Sequence, residues 1–203
     1  DNGNLSNKVA SLSQKQAIRD YRFYLVAPTP FIVGFIITAL FFFQTYIADD
    51  NNWSLEWNAL NISVYAISSF LFSVLSGPLI DKFTAKRIFP FIGIPFVFAF
   101  ISIYFIDNIF SASLYWFFIG ISAGFNSTIS NALYSEIYGT NNLGEIRSLF
   151  TFIMIAGTAL GPVFYSVLLD IGFTFSNINM LVSILVILNY IVVSRYFFKD
   201  VKK

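Results

Sequence analysis

The sequence has no cysteine and no histidine, and only 11% of its 203 residues are charged. Without cysteine there are no disulfide bonds and no thiolate chemistry, and without histidine there are no imidazole ligands for a metal. A soluble domain carries about 25% charged residues. We therefore expect no metal site and no cofactor, and a surface of which a large part faces something other than water.

Apolar residues fill this gap in the composition. They make up 57% of the chain, and phenylalanine alone supplies 26 positions. A chain of this length cannot bury so much apolar surface in a soluble core, so lipid must be part of its solvent. Runs such as FIVGFIITALFFF, residues 31–43, lack the alternating polarity of β-barrel strands, and lipid leaves helices as the other spanning structure.

The apolar runs predict an all-α membrane protein with six transmembrane helices, because a spanning helix needs about 20 apolar residues. The predicted spans are about 25–47, 58–80, 88–106, 112–137, 148–169 and 178–198. Residues 1–24 are polar and mildly basic and resemble no signal peptide. Because no initiator methionine opens the chain, we interpret 1–24 as a cytoplasmic linker within a longer chain, and 199–203 as a cytoplasmic tail.

The positions of the charges predict how the chain crosses the bilayer. All lysines and arginines fall in 1–24, in the second and fourth connecting loops, or at the end of the chain. The charged residues of the other loops and their borders are all acidic: Asp49, Asp50, Glu56, Asp107 and Asp170. Basic residues stay on the cytoplasmic side, so we predict a multi-pass protein of the cell's inner membrane with both termini in the cytoplasm. Trp53, Trp57 and Trp116 are candidates for the aromatic belt at the lipid interface.

A polar break, SGPLIDKFTAKRIF at residues 76–89, separates the second and third predicted spans. A basic cytoplasmic loop accounts for its lysines and its arginine, but not for Asp81 at the membrane border or for Gly77 four positions earlier. Small residues let helix backbones approach closely. A carboxylate at this place can meet an arginine or the positive N-terminus of a neighbouring helix.

This break resembles the signature loop of the major facilitator superfamily, G-x-x-x-D-[RK]-x-G-x-[RK]-[RK]. Thr84 replaces the second glycine, and the matching residues are Gly77, Asp81, Lys82, Lys86 and Arg87. That family has two six-helix halves, and the second half carries a degraded copy of the loop. The resemblance therefore implies that this chain is a C-terminal half, whose partners are a small-molecule solute, the lipid bilayer and an N-terminal six-helix half of the same full-length chain.

Two further stretches support this resemblance. GTALGP at 157–162 is similar to the second-half form of the family's glycine–proline signature, with Gly157, Gly161 and Pro162 as packing residues. RDYRFYLVAPTPFI at 19–32 resembles the start of the seventh helix in bacterial members that carry small organic solutes, such as monocarboxylate or oxalate/formate carriers.

In the family, the signature loop acts as a cytoplasmic latch that closes in the outward-facing state and opens in the inward-facing state. By resemblance, Asp81 would pair with an arginine or a helix N-terminus. Glu136, at the inner end of the fourth span, and Arg147, at the inner start of the fifth, are available to join the latch. Static packing is the alternative interpretation of the same residues.

Polar residues inside the spans are candidates for solute binding or for helix packing. In the second span, Asn61, Tyr65, Ser69 and Ser73 share one helical face. In the fourth, Gly120 and Gly124 form a stripe that predicts close packing. Ser68, Ser76, Asn179 and Asn189 are interpreted as residues that join helices through hydrogen bonds.

Gln44, Tyr65 and Asn126 are the possible solute contacts, because the resemblance places the family's central pocket along the first, second, fourth and fifth spans. No Asp, Glu, Lys, Arg or His lies at the centre of a predicted span. Such a charge would mark an ion or proton path. We therefore expect any basic group that binds an anionic solute to belong to the other half.

The leading prediction is a secondary active carrier, a permease working as a symporter or an antiporter by alternating access. A self-sufficient six-span protein that forms a homodimeric carrier is the first alternative. A membrane-embedded enzyme is disfavoured by the missing histidines and the missing carboxylates at depth, so we predict no enzyme. The sequence has no pore loop, which would indicate a channel, and no P-loop, which would indicate an ATP-driven pump. We expect no nucleic-acid partner.

Overall fold

The structure, a computed structural model, describes residues 12–106 and 108–200. Predictions for residues 1–11 of the linker, for Asp107 and for residues 201–203 of the tail lie outside the described residues, as do the side chains at 199 and 200. Within the described ranges the chain forms helices and turns and no strands. The all-α prediction is confirmed.

The helices follow the predicted spans and extend beyond most of them. Helix α1 (Gln14–Arg19) and most of α2 (Tyr21–Val26) lie in the predicted linker, and the first predicted span continues through α3 (Pro28–Phe42) and α4 (Gln44–Asp50). The second is α5 (Leu55–Phe83), and the third is α6 (Ala85–Ile88), a 3-10 turn (Phe89–Gly93) and α7 (Ile94–Phe105). The last three are α8 (Ser111–Tyr138), α9 (Leu143–Asp170) and α10 (Phe175–Asp200).

Five helical stretches of the described chain are long and apolar enough to cross a membrane: Tyr21–Phe42, Leu55–Phe83, Ala85–Phe105, Leu143–Asp170 and Phe175–Phe198. Helix α8 is 28 residues long but has no comparably apolar stretch. It packs against α5, α7 and α9, and a helix surrounded by protein needs less apolar surface than one surrounded by lipid. That α8 forms a sixth span stays a prediction.

Two helix pairs hold the bundle together by close backbone contact. In the pair of α5 and α8, a Cβ atom on Gly120 would meet the Tyr65 carbonyl at 2.6 Å, and one on Gly124 would meet the Ser73 nitrogen at 2.9 Å. Lipid gives helices no hydrophobic reason to associate, so dense packing through small residues must supply the attraction.

The pair of α3 and α9 uses glycines from both helices. A Cβ atom on Gly157 would collide with the Phe31 carbonyl, and one on Gly161 with the Phe35 carbonyl. Gly34 of α3 faces the Met154 carbonyl in the same way, at 2.5 Å from an added Cβ. Pro162 lies inside α9 immediately after this contact. The glycines of GTALGP thus lie where the two backbones come closest.

Side-chain hydrogen bonds join further helices. The Tyr165 hydroxyl donates to Asn179 Oδ1 at 2.9 Å, and Asn189 Nδ2 donates to Thr29 Oγ1 at 2.9 Å. Both asparagines therefore join helices, as predicted, whereas Ser68 and Ser76 donate to carbonyl groups of their own helix.

The tryptophan prediction is wrong at two of its three positions. Trp53 and Trp116 are buried in the bundle, and Trp116 donates a hydrogen bond from Nε1 to Asn58 Oδ1 at 2.8 Å. A buried indole needs such a partner. Trp57 is half-buried and donates from Nε1 to the Ile109 carbonyl at 2.8 Å.

The α3–α9 contact generates a prediction about stability. Gly157→Ala should lower the free energy of unfolding by about 1–3 kcal/mol, because the added methyl group forces the two backbones apart. Gly144→Ala is the matched control on the same helix, since an added Cβ there meets nothing within 4 Å. Thermal unfolding in detergent measures both variants. Equal melting temperatures for the two would contradict the assigned packing role.

Candidate solute site and signature loop

A cavity of about 290 Å³ opens between α3, α8 and α9. We call it the solute cavity. Its polar lining comes from α8 and α9: Asn126, Ser127, Ser130, Asn131, Arg147 and Thr151. Its apolar wall consists of Pro30, Phe150 and Met154, together with the ring of Tyr134. Small-molecule sites likewise combine an apolar wall with polar groups that orient the ligand.

Hydrogen bonds within α8 orient the two asparagines of the solute cavity. The Ser130 hydroxyl donates to Asn126 Oδ1 at 2.9 Å, which leaves the Asn126 amide nitrogen as a donor. Asn131 Nδ2 donates to the Ser127 carbonyl at 2.6 Å, which leaves its Oδ1 as an acceptor. One helix therefore presents a fixed donor and a fixed acceptor to the same space.

Arg147 is the one charged residue among the described residues that line the solute cavity. Its side chain is exposed and has no hydrogen bond or ion pair with the described part of the chain. A basic residue of this chain therefore lines the cavity. That the basic group for an anionic solute belongs to the other half stays a prediction. Arg147 lies near the start of α9, outside the centre of any span, and its long side chain brings the charge to the cavity.

The three predicted solute contacts are not brought together. Asn126 lines the solute cavity, and Gln44 and Tyr65 are not among its lining residues. The backbone carbonyl of Gln44 accepts a hydrogen bond from Asn58 Nδ2 at 3.2 Å. The Tyr65 ring packs against Phe41 at a centroid distance of 5.0 Å. Thr151 was missed, because its sequence position does not reveal that α9 turns this side chain toward α8.

The polar face of α5 faces another helix and not the solute cavity. Asn61 Oδ1 accepts a hydrogen bond from the Ser113 hydroxyl at 2.6 Å. The hydroxyl groups of Ser73 and Thr128 lie 2.9 Å apart. These bonds join α5 to α8, so this face contributes to helix packing.

The signature loop has a strained turn at Thr84, between α5 and α6. Its backbone angles are φ 68° and ψ 150°, a region that is almost confined to glycine because Cβ clashes with the backbone. Thr84 is the position at which the family pattern has its second glycine. The threonine therefore keeps the glycine geometry of the turn at a cost in strain.

Glu136 of α8 holds the start of α6. Its Oε1 accepts a hydrogen bond from the Ala85 N–H at 2.8 Å, and its Oε2 accepts one from the Lys86 N–H at 3.2 Å. Free N–H groups at a helix start carry partial positive charge, so a carboxylate stabilises them. Glu136 thus makes the contact with a helix N-terminus that was one of the two predicted for Asp81.

The other loop residues face outward. Asp81 and Arg87 are exposed, and Asp81 has no hydrogen bond or ion pair with any described residue. The Lys82 ammonium lies 5.1 Å from the centre of the Phe83 ring. An added Cβ on Gly77 would meet nothing within 4 Å in the described chain, so no helix of this bundle packs closely on it.

An ion pair at the start of α2 escaped the sequence interpretation. Asp20 accepts hydrogen bonds from the backbone and the Nε of Arg22, at 2.9 and 2.7 Å. Burial acts to raise the pKa of the Asp20 carboxyl, but the bonds to Arg22 and its charge outweigh burial and lower this pKa below its usual value. The sequence signal for this ion pair was an acid and a base two positions apart at the start of a helix.

The helices of membrane length define a multi-pass membrane protein. The chain belongs to the Major Facilitator Superfamily, whose family model matches residues 26–203. It is also similar to the probable plastidic glucose transporter 1 of Arabidopsis thaliana, with 34% identity over 115 residues, which are 55% of this chain and 20% of that protein. The chain thus spans about a fifth of the length of the curated relative it matches.

The family membership confirms the resemblance that the signature loop showed. The relative is named as a probable glucose transporter. Family and relative both point to transport and not to enzymatic catalysis.

The strained turn generates the second prediction. Thr84→Gly should raise the thermal stability, because it removes about 1–3 kcal/mol of backbone strain. The free-energy cost of the greater flexibility that glycine gives the unfolded chain is smaller than this. Thr140→Gly serves as control, since Thr140 is exposed and has no positive φ. This control should lower the melting temperature. A decrease of the same size in both variants would show that the Thr84 turn is not strained.

The contact between Glu136 and α6 generates the third prediction. Glu136→Gln should cost about 0.5–2 kcal/mol of stability, because the amide has one acceptor oxygen and no charge. Hydrogen exchange at the amides of Ala85 and Lys86 should become faster. Glu145→Gln is the control, since Glu145 is exposed and accepts one long bond, at 3.4 Å. Unchanged exchange in Glu136→Gln would rule out the assigned contact.

Proposed function

We propose that this chain is the C-terminal six-helix half of a secondary active carrier that works by alternating access, and that its solute binds in the solute cavity. The observation that supports this most is that Asn126 of α8 and Arg147 of α9 line the same cavity. Polar groups from facing helices, surrounded by apolar wall, are how carriers hold solutes within the bilayer.

The chemistry of the solute cavity favours a small organic solute rich in oxygen. The Asn126 amide nitrogen and the Arg147 guanidinium are both hydrogen-bond donors, so they need an acceptor from outside the pair. Carboxylate or hydroxyl oxygens of a solute would accept from both. A carboxylate agrees with the resemblance to monocarboxylate and oxalate/formate carriers. Hydroxyl groups agree with the name of the glucose transporter relative.

We also propose that the signature loop is a conformational latch on the cytoplasmic side, with both termini of the chain on that side of the inner membrane. Glu136 fixes α6 to α8 within this half. Asp81, Lys82, Lys86 and Arg87 stay available to the N-terminal half, which would bind them in the outward-facing state. Release of this contact would accompany the inward-facing state.

The fourth prediction concerns the solute cavity. Uptake of labelled glucose, lactate and oxalate into proteoliposomes with the full-length carrier identifies the transported solute. For that solute, Asn126→Ala should raise KM about tenfold, because one hydrogen bond contributes about 1 kcal/mol or more to binding. The maximal rate per folded carrier should change much less.

Asn189→Ala is the matched control, since Asn189 donates to Thr29 and does not line the solute cavity. It should reduce stability and leave KM unchanged. An unchanged KM in Asn126→Ala, measured for a correctly inserted carrier, would move the solute site away from this cavity.

A further inference from the structure

A second cavity lies between α7 and α10, two helices that do not line the solute cavity. It has a volume of about 240 Å³ and an almost wholly apolar lining. We call it the α7–α10 groove. Val97, Phe100 and Tyr104 form one side, and Met180, Ile184 and Ile187 form the other. Its exposed members, such as Ile184, face lipid in a membrane protein, so hydrocarbon chains are the surrounding solvent.

A polar cavity of about 430 Å³ adjoins one end of the groove. We call it the polar mouth. The groove and the mouth share Ile103, Tyr104 and Ser176, so one continuous site is apolar along its length and polar at one end. The polar lining of the mouth is Asp50, Asn51, Asn52, Asn108, Ser111 and Thr174. This division matches a lipid, with an acyl chain in the groove and a head group in the mouth.

Asn179 lies in the groove lining with an unused donor. Its side chain is 1% exposed, and its Oδ1 accepts a hydrogen bond from the Tyr165 hydroxyl. Its Nδ2 is buried and has no hydrogen-bond partner among the described residues. A buried donor without an acceptor is costly. The ester carbonyl of a lipid is an acceptor that sits between an acyl chain and a polar head group.

The charge of the mouth selects the head group. Asp50 is its one charged lining residue in the described chain, and it is exposed. A net anionic head group would be repelled by this carboxylate, and an ammonium group would be attracted to it. A primary ammonium can also donate hydrogen bonds to asparagine carbonyl groups, which a quaternary ammonium cannot do.

We propose that the α7–α10 groove binds one acyl chain of phosphatidylethanolamine, with the ammonium head group in the polar mouth beside Asp50 and an ester carbonyl accepting from Asn179 Nδ2. With both termini in the cytoplasm, as proposed, the polar mouth lies at the outer leaflet, but the lipid binding does not depend on this orientation. This site is separate from the solute cavity in its helices and in its chemistry.

Native mass spectrometry tests the proposal. The full-length protein is reconstituted in nanodiscs with equal parts of dioleoyl phosphatidylethanolamine, phosphatidylcholine and phosphatidylglycerol, and the lipids retained after release are counted. We expect one retained phosphatidylethanolamine. Ile184→Trp, which fills the groove, should reduce this retention at least fivefold. Leu185→Trp is the control, since Leu185 is equally lipid-exposed and does not line the groove.

Asp50→Asn should keep a bound lipid but remove the preference for phosphatidylethanolamine over phosphatidylglycerol. Equal retention in Ile184→Trp and Leu185→Trp would overturn the groove assignment, and equal retention of the two lipids by the unchanged protein would overturn the head-group assignment. Solute uptake is measured separately with the same variants. Lipid loss therefore stays informative whether or not the proposed carrier function holds.

Discussion

The close backbone contact between α3 and α9 is the constraint on which the solute cavity depends. Hydrophobic burial cannot drive helices together inside lipid, so contact surface and small residues must do it. Gly157 and Gly161 let α9 approach the carbonyl groups of Phe31 and Phe35. This approach fixes the first residues of α9, including Arg147, relative to Pro30 of α3. A larger side chain at either glycine would displace one wall of the cavity.

Helix α8 connects the solute cavity to the signature loop. One face bonds to α5 through Thr128, another presents Asn126 to the cavity, and its end holds α6 through Glu136. Asn126 and Glu136 are ten positions apart, which is about 15 Å along a helix. A rigid helix with polar attachments at both places transmits a tilt from one to the other. If solute binds in the cavity as proposed, a single element would couple this binding to the position of α6.

The sequence allowed the helices, the family and the packing glycines to be predicted, because apolar length, the loop motif and small residues four apart are local features. It did not allow the partners of polar groups to be predicted. Periodicity placed Tyr65 on a polar face, but only the fold shows that this face meets α8. Thr84 replaces the second glycine of the loop pattern, and its φ of 68° shows a backbone conformation that suits glycine better than threonine.

Charges without partners identify the surfaces that remain to be covered. Asp81 and Arg147 have no ion pair with the described chain, although a charge near the membrane border is stable only beside water or an opposite charge. Glu136, by contrast, accepts hydrogen bonds from the Ala85 and Lys86 N–H groups through both of its oxygens. In the proposed latch, the acids and bases that change partners are those on the exposed side of the loop and in the cavity. A second six-helix half that meets both surfaces would bind them at once, which is the property a latch and a solute gate need to share.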